Sequence, residues 1–310
     1  MNVPSKAMAD SPLGAQDIAA EPMSETRPMY WSMRREVWEN RSIYIAPLAV
    51  AAVFLLGFLV SIVHLPDKMS AALALDPMQQ REIIERPYNM AALLLMGTYL
   101  FVAVFYCLDA LQGERRDRSI LFWKSLPVSD LTTVLSKASI PFVILPLLTF
   151  VITIATQWIM LLLSTAALLG NRQSVAMLWS QLPMFQMSLM LLYHLLAVHT
   201  LWYAPFYGWL LLASAWAKRA AFLWAALPLL AVGVVEKIAF NTSHFGILLE
   251  HRLSGGPAGG TFTGREIAMD PIMQLTPGKF LASPGLWLGL AVTAAFLVAA
   301  MRLRRRQGPI

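Results

Sequence analysis

The chain has 310 residues, of which 57% are hydrophobic and 14% charged, against about 45–50% and about 25% in soluble domains. That excess, with 10 Trp, 15 Phe and 17 Met, excludes a water-facing globular fold, because so many apolar residues gather into runs that no soluble core buries. The lone cysteine, Cys107, excludes an internal disulfide, and the meaning of the +6 formal charge depends on where the cations lie along the chain.

The first 28 residues are rich in Ala, Pro, Ser and Met and hold no apolar core, so 1–28 reads as a disordered cytoplasmic leader and not as a signal peptide. Met29 to Arg41 follow as an amphipathic helix. Tyr30, Met33, Val37 and Trp38 fall at i, i+3, i+7 and i+8 on one stripe, while Arg35, Glu36, Glu39 and Asn40 face elsewhere. Such a helix lies in the membrane interface with Trp at headgroup depth. It serves either as a simple anchor or as an elbow that also touches a cytoplasmic partner.

Six apolar runs then reach the roughly 20 residues that cross a hydrocarbon core of about 30 Å. They cover about 43–65, 90–111, 138–170, 187–216, 220–240 and 284–301. The third carries Pro141 and Pro146 and is long enough to tilt or kink. The fourth holds His194, His199 and Pro205; the fifth is short before Glu236; the sixth stops against Arg302, Arg304, Arg305 and Arg306. The expected fold is an all-α integral membrane protein in which 29–310 form a single transmembrane domain.

Orientation follows from the cations. Sixteen Lys and Arg lie before span one, between spans two and three, between four and five, and after six, against eight in the remaining loops. Because positive residues stay on the cytoplasmic side, both termini are expected there. The +6 is then an inside-facing excess directed at anionic membrane lipid or acidic partners, with no nucleic acid implied.

The connector 112–137 is more elaborate than a reversal of direction requires. Gly113 can end span two, Glu114 to Arg118 form a mixed-charge patch, Ile120 to Leu126 a short apolar helix, Pro127 a stop, and Ser129 or Asp130 a cap for span three. Ile120, Leu121, Phe122, Trp123 and Leu126 are thereby offered either to the bilayer or to another protein.

On Glu114, Arg115, Ser119, Ile120, Phe122, Trp123, Ser125, Leu126, Pro127, Val128 and Ser129, the chain resembles the membrane component of an ABC-2-type exporter. The N-terminal amphipathic helix and the six spans extend the likeness over nearly everything after residue 28. The resemblance implies a multi-pass permease of the bacterial cytoplasmic (inner) membrane that forms its pathway as a homodimer or a pseudo-symmetric heterodimer. It also implies separate ABC ATPase subunits, which bind the ATP and Mg; this chain itself would be non-catalytic and without cofactor or metal. Segment 112–137 would be the ATPase-coupling element, with Ile120, Phe122, Trp123 and Leu126 as its apolar part and Glu114, Arg115 and Arg116 as charged rim. The chain has no G-x-x-x-x-G-K-[ST] phosphate loop, and the glycine-rich stretch Gly255 to Glu266 lacks the Lys-Ser/Thr ending.

His194 and His199 are five apart, about 140° around an α-helix, so one helical face cannot present both to one ion. They suit structural hydrogen bonds or a substrate or proton role. With Trp202 and Tyr203, in an aromatic section that serves helix packing or lines an apolar path, they are the candidate pathway residues. The external loop 241–283 is expected to be a gate, a partner surface, or an ordered cap with a short helix. Two other functions stay open: a stand-alone secondary transporter or integral-membrane enzyme, which needs convergent polar groups at the midplane, and a non-transporting accessory subunit.

Overall fold

A computed structural model describes residues 26–72, 74–125, 128–172, 174–253 and 277–306, and their regular structure is entirely helical. Most of the expected leader, Leu126 and Pro127 of the connector, and 254–276 of the external loop, including the glycine-rich stretch, lie outside the described residues.

Helix α1 (Thr26–Glu39) starts inside the expected leader and turns at Asn40 into α2 (Ser42–Ser61); a 3-10 turn leads to α3 (Leu65–Ala72). Helix α4 (Pro77–Asp109) begins where Asp76 accepts from the backbone N–H of Met78 (2.9 Å) and Gln79 (3.2 Å), with Pro77 at the first helical position. Its first turns precede the apolar run, and there Arg81 pairs with Glu85 one turn on at 2.6 Å. Short helices α5 (Gln112–Arg116) and α6 (Ser119–Ser125) form the connector, and α7 (Asp130–Ser139) starts at the Ser129 cap, whose hydroxyl accepts from the Thr132 N–H at 3.0 Å.

Pro141 and Pro146 each lack an N–H, and around them the helix widens to a π-helical segment, Ile140–Ile144, before continuing as α8 (Leu145–Gly170). Helices α9 (Ala176–Gln181) and α10 (Met184–His194) lead into a second π-helical segment, Leu195–Trp202, and then α11 (Ala204–Trp216). The remainder is α12 (Ala221–Phe240), α13 (His244–Leu253), α14 (Pro277–Leu281) and α15 (Pro284–Arg306).

Six helical stretches are long and apolar enough to cross a membrane: Ser42–Ala72, Pro77–Arg116, Asp130–Gly170, Ala176–Trp202, Ala221–Phe240 and Pro284–Arg306. The fourth differs from the sequence expectation of 187–216. That run is divided at Tyr203 (φ −85°, ψ 1°), because Pro205 in the first turn of α11 has no N–H to continue the ladder. Helix α11 alone has 13 residues, about 20 Å, less than a bilayer core, and it lies against α4, α12 and α15.

Helices α2, α4 and α8 pack together, and α11 makes its largest interface with α15. One core cluster gathers Ile43, Tyr99, Tyr106, Leu145, Tyr207 and Leu211, and another gathers Phe58, Ile84, Tyr88, Met160 and Leu168. Helix α12 fully buries only Ala221 and Ala225, and most of its large apolar side chains are exposed. The α11–α15 approach depends on Gly208, whose missing Cβ would stand 3.3 Å from Thr293 Cγ2 and 3.4 Å from Thr293 Cα. Gly208→Val is therefore expected to cost about 1–3 kcal/mol through overpacking, whereas Gly97→Ala, with nothing within 4 Å of its Cβ position, leaves stability unchanged or raised. Thermal unfolding of the two variants in detergent, which should separate them, checks the interface.

Candidate functional site

At the end of the bundle where the C-terminal arginines lie, five helices meet around buried charge. Glu114 on α5 is the hub. Its Oε1 accepts from Arg35 Nη2 of α1 at 3.0 Å and pairs with Lys137 Nζ of α7 at 3.2 Å, while its Oε2 accepts from Arg304 of α15. Lys137 also donates to Glu36 Oε1 at 2.9 Å, and Tyr106 of α4 donates to Glu36 Oε2 at 2.9 Å. Arg304 Nε reaches Asp130 Oδ1 at 3.1 Å. Glu36, Glu114, Lys137 and Arg304 are all at least 93% buried, so each charge depends on its partners and not on water.

The connector is built onto this node. Arg115 donates to the carbonyls of Ala215 (2.7 Å) and Ala217 (3.3 Å), closing the C-terminal end of α11. Arg118 takes a left-handed conformation (φ 57°), the Ser119 hydroxyl donates to the Glu114 carbonyl at 3.3 Å, and Ile120 is buried. These contacts turn α6 back across α5. The guanidinium of Arg35 lies 3.4 Å from the centre of the Trp123 ring, which ties α6 to α1.

The expected rim and anchor residues therefore separate into two groups. Glu114, Arg115 and Ile120 are buried within the chain, Trp123 is half covered by Arg35, and the outward face carries Arg116, Leu121 and Phe122, the last two 58% and 59% exposed. Leu126 lies outside the described residues. On α1, Val37 packs against the core and Met33 is half-buried, while Tyr30 and Trp38 are exposed. Arg34 sits over both Trp31 (5.3 Å) and Trp38 (4.5 Å), so the outward aromatic face includes Trp31, which the helical stripe had omitted.

The candidate pathway residues fall at the π-helical turn. His194 Nδ1 lies 3.0 Å from the Met190 carbonyl, and His199 Nδ1 lies 3.3 Å from the His194 carbonyl. That second contact spans five residues, the spacing of a π-turn. The His199 ring meets Tyr99 and Tyr203 edge-on, and Tyr99 also meets Tyr207, so these side chains fill space together. Trp202 and Tyr203 reach across to α13, donating to the carbonyls of Arg252 (3.0 Å) and Leu253 (2.8 Å). No group of three or more His, Cys, Asp or Glu among the described residues could hold a metal ion.

A single sequence does not show that Glu36, Lys137, Asp130 and Arg304 share one node, because the partners stand up to 190 positions apart. Their position beside apolar runs was the only signal.

The fold defines a multi-pass α-helical membrane protein. The chain matches no known family model, no curated protein and no solved structure.

Stranding a buried charge costs more than releasing an exposed one. Glu114→Ala is expected to lower stability by about 3–5 kcal/mol, and Arg116→Ala, whose partners Asp109 and Asp117 are exposed, by less than about 1 kcal/mol. Equal shifts in denaturant or thermal unfolding would deny the node its role.

Proposed function

We propose that the chain is the permease subunit of an ATP-driven exporter of the ABC-2 type, working as a dimer in a bacterial cytoplasmic membrane with separate ATPase subunits. The observation that carries this reading is the placement of α6. It turns Leu121 and Phe122 outward while Ser119, Ile120 and Trp123 join it to α5, the interior and α1. The likeness of Glu114 to Ser129 to the coupling stretch of that family supports the same reading.

On this reading the chain does no chemistry. ATP and Mg act in the partner, and closure of the ATPase pair displaces α6. Because α5 is held to α1, α7 and α15 through Glu114, and Arg115 is bonded to the end of α11, that displacement moves spans together instead of bending a loop. A shift between inward-open and outward-open arrangements then follows from differential contacts in the two states.

Affinity purification of the solubilised chain from its native membrane tests this. A P-loop ATPase is expected to co-elute with the wild type, and the double variant Leu121→Asp/Phe122→Asp to bind it at least about thirtyfold more weakly, as for loss of an interface hot spot, at unchanged melting temperature. Recovery of no ATPase with folded wild type sinks the exporter reading, and equal recovery with the variant moves the coupling surface elsewhere.

A further inference from the structure

At the end of α15 opposite the arginine cluster, α11, α12, α13 and α15 enclose a cleft of about 570 Å³. Its walls are almost wholly apolar, with Trp209, Val232, Leu248, Leu288, Val292 and Phe296 among them. Leu288, Val292 and Phe296 follow one another at i, i+4 and i+8, so the groove runs along α15 for about 12 Å toward the middle of the helix. At its α13 end stand Arg252 and, beside it, the His251 ring, which meets Trp202 edge-on.

Arg252 is held in a particular pose. Its Nη2 donates to the Gly285 carbonyl at 2.6 Å and its Nη1 to the Trp202 carbonyl at 3.3 Å, and its guanidinium carbon lies 4.1 Å from the centre of the Trp202 ring. Gly289 makes this possible, since a Cβ there would collide with Nη2. Helix α13 itself is fixed at both ends. Glu236 of α12 accepts from the N–H groups of His244 (2.6 Å) and Phe245 (2.9 Å), and Trp202 and Tyr203 donate to the carbonyls of Arg252 and Leu253.

All of these partners of Arg252 are neutral. Among the described residues no carboxylate pairs with it, although every other arginine placed against the bundle interior has one or, like Arg115, closes a helix end. A guanidinium has five N–H donors, and two are used here. A positive charge with spare donors therefore sits at the mouth of an apolar groove that opens beside membrane-crossing helices. Charge complementarity and groove length both call for an amphiphile.

We propose that this cleft binds a membrane lipid with an anionic headgroup, its phosphate on the unused donors of Arg252 and one acyl chain along the α12–α15 groove. The site rests on these residues alone and not on coupling to an ATPase. The lipid belongs to the leaflet away from the arginine cluster. Phosphate suits the guanidinium because parallel N–H donors match two of its oxygens.

Native mass spectrometry of the detergent-solubilised full chain, titrated with phosphatidylglycerol or phosphatidylcholine of the same chain length, tests the site. Wild type is expected to retain phosphatidylglycerol at about tenfold lower concentration than phosphatidylcholine, because both headgroups carry the phosphate but the choline cation cancels the net charge that Arg252 attracts. Arg252→Gln should erase that preference and Arg252→Lys keep part of it. Val292→Trp, which fills the groove without touching the Arg252 contacts, should weaken both lipids alike, and it keeps the test decisive if Arg252→Gln fails to fold. Equal retention of the two lipids by wild type, a preference that survives Arg252→Gln, or lipid binding unaffected by Val292→Trp would each overturn the proposal. So would glycerol phosphate competing at the same concentration, which marks a soluble-anion site, or a lipid-free dimer that Val292→Trp dissociates, which marks the cleft as an interface between copies. Leu121→Asp/Phe122→Asp should not alter lipid retention, so loss of the exporter reading and loss of this one are separable.

Discussion

Glu114 takes cations from three different helices, Arg35 of α1, Lys137 of α7 and Arg304 of α15, in a place water hardly reaches. Removing two opposite charges from water is expensive, and their attraction compensates only when the remaining donors and acceptors are also filled. Here Tyr106 of α4 and Asp130, at the start of α7, fill two of them. No one of these helices can withdraw without breaking a contact to a buried charge. The connector inherits that constraint, because α5 carries the hub and Ser119 and Ile120 hold α6 to it.

The middle of the bundle is organised differently. The Tyr99 hydroxyl has one proton and two acceptors in reach, the carbonyls of Pro141 (2.7 Å) and His199 (3.1 Å), and these belong to the two π-helical segments. A widened turn frees carbonyls from the i→i−4 ladder, and a side chain must then satisfy them. Along α8, Thr149, Thr153, Thr156, Gln157 and Ser164 form a buried polar stripe, in which Thr153 and Thr156 donate to the carbonyls four residues back. Aromatic rings around Tyr99 occupy the remaining space.

The apolar runs were legible because a bilayer demands about 20 consecutive apolar residues, a signal carried by composition alone. The division at Tyr203 was not, since Pro205 could as well have kinked the helix as broken it. The connector residues stand out in the sequence, but which of them turn inward does not. Glu114 and Arg115 look like surface charges in a run of mixed sign, and only the fold turns them inward toward partners 23 to 190 positions away. Arg252 was invisible for the opposite reason. Nothing in its own stretch is unusual, and its setting is made by Trp202, Gly285 and Gly289 from distant elements.

The two ends of the molecule are bound with unequal strength. Breaking the ionic node strands charge at about 3–5 kcal/mol per partner, whereas the hydrogen bonds that clamp the C-terminal end of α13 go to neutral carbonyls and contribute about 1 kcal/mol each, more where the donor is charged. Helix α15 joins the two ends, carrying Arg304 at one and Gly285 and Gly289 at the other across 23 residues, about 34 Å. Its long interface with α11 closes tightly at two glycines, Gly208 against Thr293 and Gly289 against Pro205. On the proposed function, a displacement that enters at α5 and α6 passes along α11 and α15, which carry contacts of both ends. It is taken up where the bonds are weakest, at the clamp between α13 and the first turns of α15, which is also the mouth of the apolar cleft.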